Sequence, residues 1–253
     1  MMRLISIALD KSKVVDWESY PFTVPAVRAI NKIEVRSRML FFVGENGSGK
    51  STLLEAIAGH YGFGPEGGNR NTQFASTETL SSIDPLRKAL RLAFSKRTGK
   101  GFYLRAESFF NLATYVDNLG VAWAYGGTSL HNQSHGESFF AILENRIESS
   151  GLYMMDEPEA ALSPQRQLAM LAMLHDIARN SEEIQFIIAT HSPILLAYPG
   201  AQILSFDDGA IREISYRETQ AYQIMNGFMS SPELYLHHLL REDQHSLFSN
   251  DVD

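Results

Sequence analysis

The sequence predicts an α/β fold whose central sheet is mostly parallel and covered on both faces, in three layers. Three observations predict it. Short apolar runs alternate with helical patterns along the chain, as they do when strands are joined by crossover helices. Two of these runs, RMLFFV at 38–43 and QFIIAT at 185–190, are almost unbroken in apolar character, as strands buried on both faces must be. A capping residue is followed by proline at Asp84-Pro85, Ser163-Pro164 and Ser231-Pro232, and each pair reads as a helix start.

Taken in order, RLISIAL at 3–9 reads as a strand, RMLFFV as a second, and a helix follows from Ser51 to about His60. Residues 61–79, dense in glycine, asparagine and threonine, read as loop. Asp84-Pro85 opens a helix expected to run to about Phe94, and GFYLR at 101–105 is the next strand. Helical stretches are expected at 108–117 and 138–148, and GLYMM at 151–155 is a further strand. From Ser163 a helix runs to about Arg179, with Leu168, Leu171, Leu174 and Ile177 marking one face. Strands at 185–190, 202–206 and 211–215 lead to two closing helices. The expected organisation is one domain over 1–253, with a small helical lobe at about 80–148 and C-terminal helices at about 216–253.

Composition narrows the classes of function. With 44% hydrophobic and 20% charged residues the chain is that of a globular protein with a buried core. A formal charge of −7 gives no overall attraction for nucleic acid or anionic membranes. Cysteine is absent, which excludes disulfides, thiolate metal sites and thiol catalysis and suits a cytoplasmic location. The start, MMRLISIALDKSK, has too short an apolar centre for a signal peptide, and no run is long enough to span a bilayer.

The chemistry begins at Gly44-Glu45-Asn46-Gly47-Ser48-Gly49-Lys50-Ser51-Thr52, which fits G-x-x-x-x-G-K-[ST] between an apolar strand and a helix. Glycines let successive backbone N–H groups turn inward around a triphosphate, and the helix N-terminus adds partial positive charge. Lys50 would reach the β- and γ-phosphates, and the Ser51 hydroxyl would bind Mg²⁺. LYMMDE at 152–157 ends an apolar strand in two adjacent carboxylates. Asp156 suits a Mg²⁺ contact, and Glu157 suits a general base for the attacking water. His191 follows the strand FIIAT at the sheet edge where parallel α/β sheets bind ligands, and is a candidate to sense the γ-phosphate.

In sequence order GENGSGKS, QSHGES at 133–138, LYMMDE, ALS at 161–163 and His191 resemble the Walker A loop, signature, Walker B, D-loop and switch histidine of the ABC-class P-loop ATPases. That class includes transporter nucleotide-binding domains and SMC/RecF-like proteins. LRAESFF, HGES and DEPEAALSPQRQ look most like small standalone ATPases of the AAA or ABC-ATPase-like type. The resemblance implies ATP hydrolysis with Mg²⁺ and an ATP-dependent, head-to-tail homodimer. Ser134, Gly136 and Glu137 of one copy would then close over the γ-phosphate held by the other. His135 and Glu137 depart from the commoner Leu-Ser-Gly-Gly-Gln pattern. The resemblance also implies a residue linking the metal–phosphate site to the helical lobe, either Gln73 or Glu107, and an adenine-stacking aromatic among Trp17, Tyr20 and Phe22.

Partners stay open at this point. The interval between Lys50 and Ser134 is too short for the long coiled coil of SMC-like arms. The segment 85–100 carries Arg87, Lys88, Arg91, Lys96, Arg97 and Lys100 with no acidic residue, a pattern that could touch nucleic acid or be a solvated face. An unknown partner protein switched by the ATPase, and a role as the ATP-binding subunit of a transporter or defence-type complex, are both compatible with the residues.

Overall fold

The computed structural model describes residues 4–64, 67–70, 77–96, 99–107, 114 and 135–240. Two sheets organise them. The larger has six strands: β3 (Met39–Val43), β5 (Gly101–Arg105), β6 (Gly151–Asp156), β7 (Ile184–Ala189), β8 (Gln202–Ser205) and β9 (Arg212–Ile214). Their order is β5-β6-β7-β3-β8-β9, and only β9 runs antiparallel to its neighbour. The smaller sheet is antiparallel, ordered β2-β1-β4, from β1 (Leu4–Leu9), β2 (Lys32–Glu34) and β4 (Leu90–Phe94).

Alternation along the buried strands divides the interior into two cores. Leu40 and Phe42 of β3, Leu152 and Met154 of β6, and Ile187 and Ala189 of β7 face the small sheet. They pack there with helices α1 (Pro25–Arg28), α2 (Lys50–Tyr61) and α3 (Thr77–Ala89). Met39, Phe41 and Val43, with Tyr153, Met155, Phe186 and Ile188, face the opposite layer. That layer holds α4 (His135–Arg146), α5 (Pro164–Asn180) and α6 (Pro193–Leu196). The closing helices are α7 (Gln220–Ser230) and α8 (Pro232–Leu239).

Three expectations need correction. Asp84-Pro85 does not open a helix: α3 begins at Thr77 and carries Pro85 inside it. The Asp84 carboxylate is held by Arg87 and Lys88 one turn further on rather than by a backbone cap. The helix expected to reach Phe94 stops at Ala89, because Leu90, Leu92 and Phe94 alternate with Arg91 and Ala93 and pair against β1. Within the span 80–148 the described residues form α3, β4, β5 and α4, while 108–113 and 115–134 lie outside the described residues. On α5 the buried residues are Gln167, Met170, Leu174 and Ala178, and Leu168 is 59% exposed. A hydrogen-bonded polar residue on the inner face had disguised it: Gln167 donates to the Leu162 carbonyl and accepts from Ser192.

The two sheets are tied by glutamines at the entry of two central strands. Gln185 is fully buried, accepts from the Leu4 N–H at 2.7 Å and donates to the Leu4 and Ser37 carbonyls at 3.2 Å each. Gln202 repeats the device, accepting from the Arg36 N–H at 2.8 Å and donating to the Glu34 carbonyl at 2.9 Å. Replacing Gln185 by leucine leaves buried backbone groups unpaired. Gln185→Leu should lower unfolding free energy by about 3 kcal/mol in urea titrations. An unchanged midpoint would mean that the tie contributes nothing.

Candidate functional site

The loop after β3 is built by glycines in the left-handed region. Gly44, Gly47 and Gly49 have φ of 142°, 80° and 104°. A Cβ on Gly44 would lie 2.9 Å from Ser48 Oγ, and one on Gly49 would lie 2.7 Å from a Val24 methyl, so neither position admits a side chain without displacement. The loop wraps Lys50, whose ammonium donates to the Gly44 and Glu45 carbonyls at 2.7 and 2.9 Å. Burial holds the Lys50 pKa below its ordinary value, against the opposing pull of Glu157, Asp156 and Asp207. Asp207, just past β8, anchors the loop from outside: it accepts the Glu45 N–H at 3.0 Å while Ser205 Oγ donates to its other oxygen at 2.8 Å.

Parallel register brings the remaining side chains level with this loop. Phe42 pairs with Ala189, Ala189 with Asp156, and Asp156 with Arg105. Ser51, in the first turn of α2, donates to Asp156 Oδ1 at 2.9 Å. Burial pushes the Asp156 carboxyl up to about 6, opposed by the Ser51 hydrogen bond and by Arg105. Glu157 sits next, at φ 51° and ψ 50°, a left-handed conformation uncommon outside glycine. Its N–H still bonds the Ala189 carbonyl, and its half-exposed carboxylate lines the adjoining cavity. His191 Nε2 lies 3.6 Å from Glu157 Oε1, and the His191 N–H donates to Glu159 Oε1 at 2.5 Å.

A cavity of about 380 Å³ opens beside these groups, lined by Ser51, Arg105, Ala106, Glu107, Asp156, Glu157, Ala160 and Ala161. Of the sequence-predicted residues, Lys50, Ser51, Asp156, Glu157, His191 and Glu107 are thus gathered at one edge of the sheet. Thr52 reaches the Tyr20 hydroxyl at 3.1 Å. Phe22 is only 1% exposed and packs under Trp17, which Arg28 covers, so Tyr20 is the aromatic left open beside the loop. Gly136 and Glu137 open α4 and adjoin α5, with Glu137 3.7 Å from Arg166. A Cβ on Gly136 would fall 2.4 Å from the Arg166 guanidinium, so this position too requires glycine unless Arg166 moves. Ser134 and Gln73 lie outside the described residues.

Sequence reasoning missed Arg105, Glu55, Glu159 and Asp207. For Arg105 the available signal was the one used for Asp156, since a charged residue ending a buried strand needs a reason to be there; Glu55, in the middle of α2, carried no such signal. The basic segment is differently placed from what its composition suggests. Arg87 and Lys88 are paired with Asp84, Arg91 with Asp10, Lys96 with Glu183 and Lys100 with Glu148, while Arg97 lies outside the described residues.

Glu55 makes the site's charge balance measurable. Its carboxylate meets the Arg105 guanidinium, yet burial pushes its pKa up to about 7. A carboxyl with a folded pKa above its unfolded value binds extra protons in the folded state, so stability falls as pH rises through that window. For Glu55 the window runs from the ordinary 4.5 to about 7. Urea unfolding at about pH 5 and about pH 8 should show the wild type losing more stability across that interval than Glu55→Gln. Equal losses would mean that Glu55 is ionised throughout.

Comparison with known proteins supplies the family. Residues 130–196 match the family model described as AAA ATPase domain, and residues 32–160 match that described as ABC transporter. The chain is 22% identical over 196 residues to the molybdenum import ATP-binding protein ModC of Mesorhizobium japonicum, covering 71% of this chain and 52% of that protein. It is 25% identical over 206 residues to the hemin import ATP-binding protein HmuV of Nocardia farcinica, covering 74% of this chain and 70% of that one. The chain therefore spans about half the length of the first of these relatives. Among solved structures, a metal-chelate type ABC transporter in an inward-facing conformation aligns with TM-score 0.47 at 15% identity, over 74% of this chain and 76% of that one. The SMC head domain from Thermotoga maritima aligns with TM-score 0.44 at 17% identity, over 84% and 98%. The ABC transporter match alone covers just over half of the chain, and with the loop, strand-end carboxylates and parallel sheet already described, the chain belongs to the ABC-type P-loop ATPases.

Proposed function

We propose that the chain, as one ABC-type domain over 1–253, binds ATP with Mg²⁺ and hydrolyses it while two copies close head to tail, acting as a switch for a partner. The observation that carries this reading is the 2.9 Å contact between Ser51 Oγ and Asp156 Oδ1 beside the Lys50 loop. Those oxygens are hard donors of the type Mg²⁺ takes, and Glu107 stands at the rim of the same cavity. Ser48 Oγ and His191 Nε2 are buried with no hydrogen-bond partner among the described residues, as donors meant for a phosphate would be. The bound cation would neutralise charge on the β- and γ-phosphates.

The protein's own groups supply the rest. Backbone N–H groups of Gly47, Gly49 and Lys50 cradle the phosphates, and Lys50 exchanges its carbonyl partners for phosphate oxygens. Glu157, half-exposed at the cavity wall, takes a proton from the attacking water. His191, whose backbone N–H is held by Glu159, contacts the γ-phosphate and Glu157 together. Tyr20 stacks on the base. In the closed pair Ser134, together with Gly136 and Glu137 in the first turn of α4, completes the partner's site, since a helix N-terminus stabilises phosphate charge.

A second reading, as an ATP-binding subunit of a transporter or defence-type complex, is favoured by the relatives named as import ATP-binding proteins. None of the described helices is long and apolar enough to cross a membrane. A cytoplasmic location belongs to either reading. Nucleic acid is the weaker candidate partner, because the described cations of 87–100 are ion-paired. Anisotropy titration with duplex DNA at low salt should show no salt-sensitive binding, and a steep salt dependence would restore that candidate.

Two substitutions test the main reading. Lys50→Ala should abolish ATP binding in calorimetry while circular dichroism stays unchanged. Glu157→Gln should slow hydrolysis by roughly 10²–10⁴-fold yet retain ATP, and should elute as a dimer only with nucleotide. Adding Ser134→Arg to that variant should return the monomer. A variant that binds ATP but stays monomeric at high concentration would remove the homodimer from the proposal.

A further inference from the structure

One cation at the sheet edge has no part in the chemistry above. Arg105 ends β5 directly opposite Asp156 in the parallel ladder, and its side chain is only 12% exposed. Its guanidinium meets carboxylates from three separate elements. Glu55, one turn after Ser51 on α2, is its buried partner, and Glu107 on the chain leaving β5 lies at 3.2 Å. Asp156 presents Oδ1 to Ser51 at 2.9 Å and Oδ2 toward Arg105 Nε at 4.0 Å. Arg105, Glu107 and Asp156 all line the same cavity, whereas Glu55, at 10% side-chain exposure, stands behind the guanidinium.

That geometry gives the arginine a directional task. A planar fork can meet several carboxylates at fixed angles, which a lysine ammonium cannot do. Without a cation between them, Glu55, Asp156 and Glu107 would repel one another, and Asp156 could turn away from Ser51. We propose that Arg105 is a positioning residue for the metal–phosphate site: anchored on Glu55, it fixes the rotamer of Asp156 and holds Glu107 at the cavity rim. Through Glu107 the same guanidinium grips the start of the segment that leads to the signature helix. The assignment rests on the reading of Ser51 and Asp156 as the Mg²⁺ side of a nucleotide site.

The test uses the full chain carrying Arg105→Met together with Glu55→Gln, which removes the buried ion pair as a unit and leaves neither charge unpartnered. ATP binding is measured by calorimetry in EDTA and in Mg²⁺, Mn²⁺ binding to the ATP complex by electron paramagnetic resonance, and folding by thermal unfolding. Metal-free ATP affinity should stay close to wild type, because the Lys50 loop is untouched. The gain in affinity on adding Mg²⁺, the Mn²⁺ affinity and kcat should each fall by about 10–100-fold, with KM little changed. Arg105→Lys, which keeps the buried charge, should recover only part of these losses, and it carries the same comparison if the double variant does not fold. A folded variant with the wild-type response to Mg²⁺ and Mn²⁺ would overturn the proposal. Equal loss of metal-free and metal-dependent ATP affinity would overturn it too, since Arg105 would then act on the nucleotide itself. Failure of the wild type to bind ATP at all would instead remove the nucleotide reading on which the assignment rests.

Discussion

The strand-end groups of the candidate site take their positions from the parallel pairing of β5, β6, β7 and β3. Parallel strands in register end level, so Arg105, Asp156, Ala189 and Phe42 stand in one row. The turns that leave this row carry Glu157, His191 and the Lys50 loop. A slip of one residue in any pair would reverse which face each side chain meets and scatter the row. The two apolar cores hold that register, because each strand has its alternate residues committed to opposite layers. Gln185 and Gln202 then fasten the antiparallel sheet across the strand entries, at the end of the sheet remote from the chemistry.

The same row concentrates charge where water is scarce. Asp156, Glu157, Glu55 and Glu107 gather against Lys50 and Arg105, and burial raises both Asp156 and Glu55 well above the ordinary carboxylate range. Such a cluster costs folding energy and is retained where chemistry needs it. The division of labour follows from depth. Buried carboxylates face fixed cations, while Glu157 and Glu107 stand at the rim, where a water or a metal can reach them.

Much of this was legible in the sequence, for local reasons. Gly44, Gly47 and Gly49 with Lys50 and Ser51 announce their loop because backbone conformation and side-chain chemistry are set within a few residues. Ser163-Pro164 does cap α5, since a hydroxyl and a missing N–H suffice for that. Asp84-Pro85 looked the same and was not, because Asp84 is engaged by Arg87 and Lys88 and the strand that follows pairs with β1. Contacts distant in sequence were silent. Arg105 and Glu55 stand fifty positions apart, and Gln185 meets Leu4 across 181. Nothing in either neighbourhood marks those side chains as partners. They become readable only once the sheet order is known.

The left-handed backbone at Glu157 sets selection for stability against selection for chemistry. Holding a non-glycine residue there costs of order 1–3 kcal/mol, a sum that glycine would not incur and asparagine would incur less. Glycine and asparagine at this turn would relax the chain and delete the carboxylate, whereas aspartate would keep one on a shorter arm. On the proposed reading of Glu157 as general base, a search for heat-resistant variants of this protein would be drawn to position 157 and would return better-folded molecules that no longer turn nucleotide over. On that reading, thermostabilising libraries should leave this residue fixed.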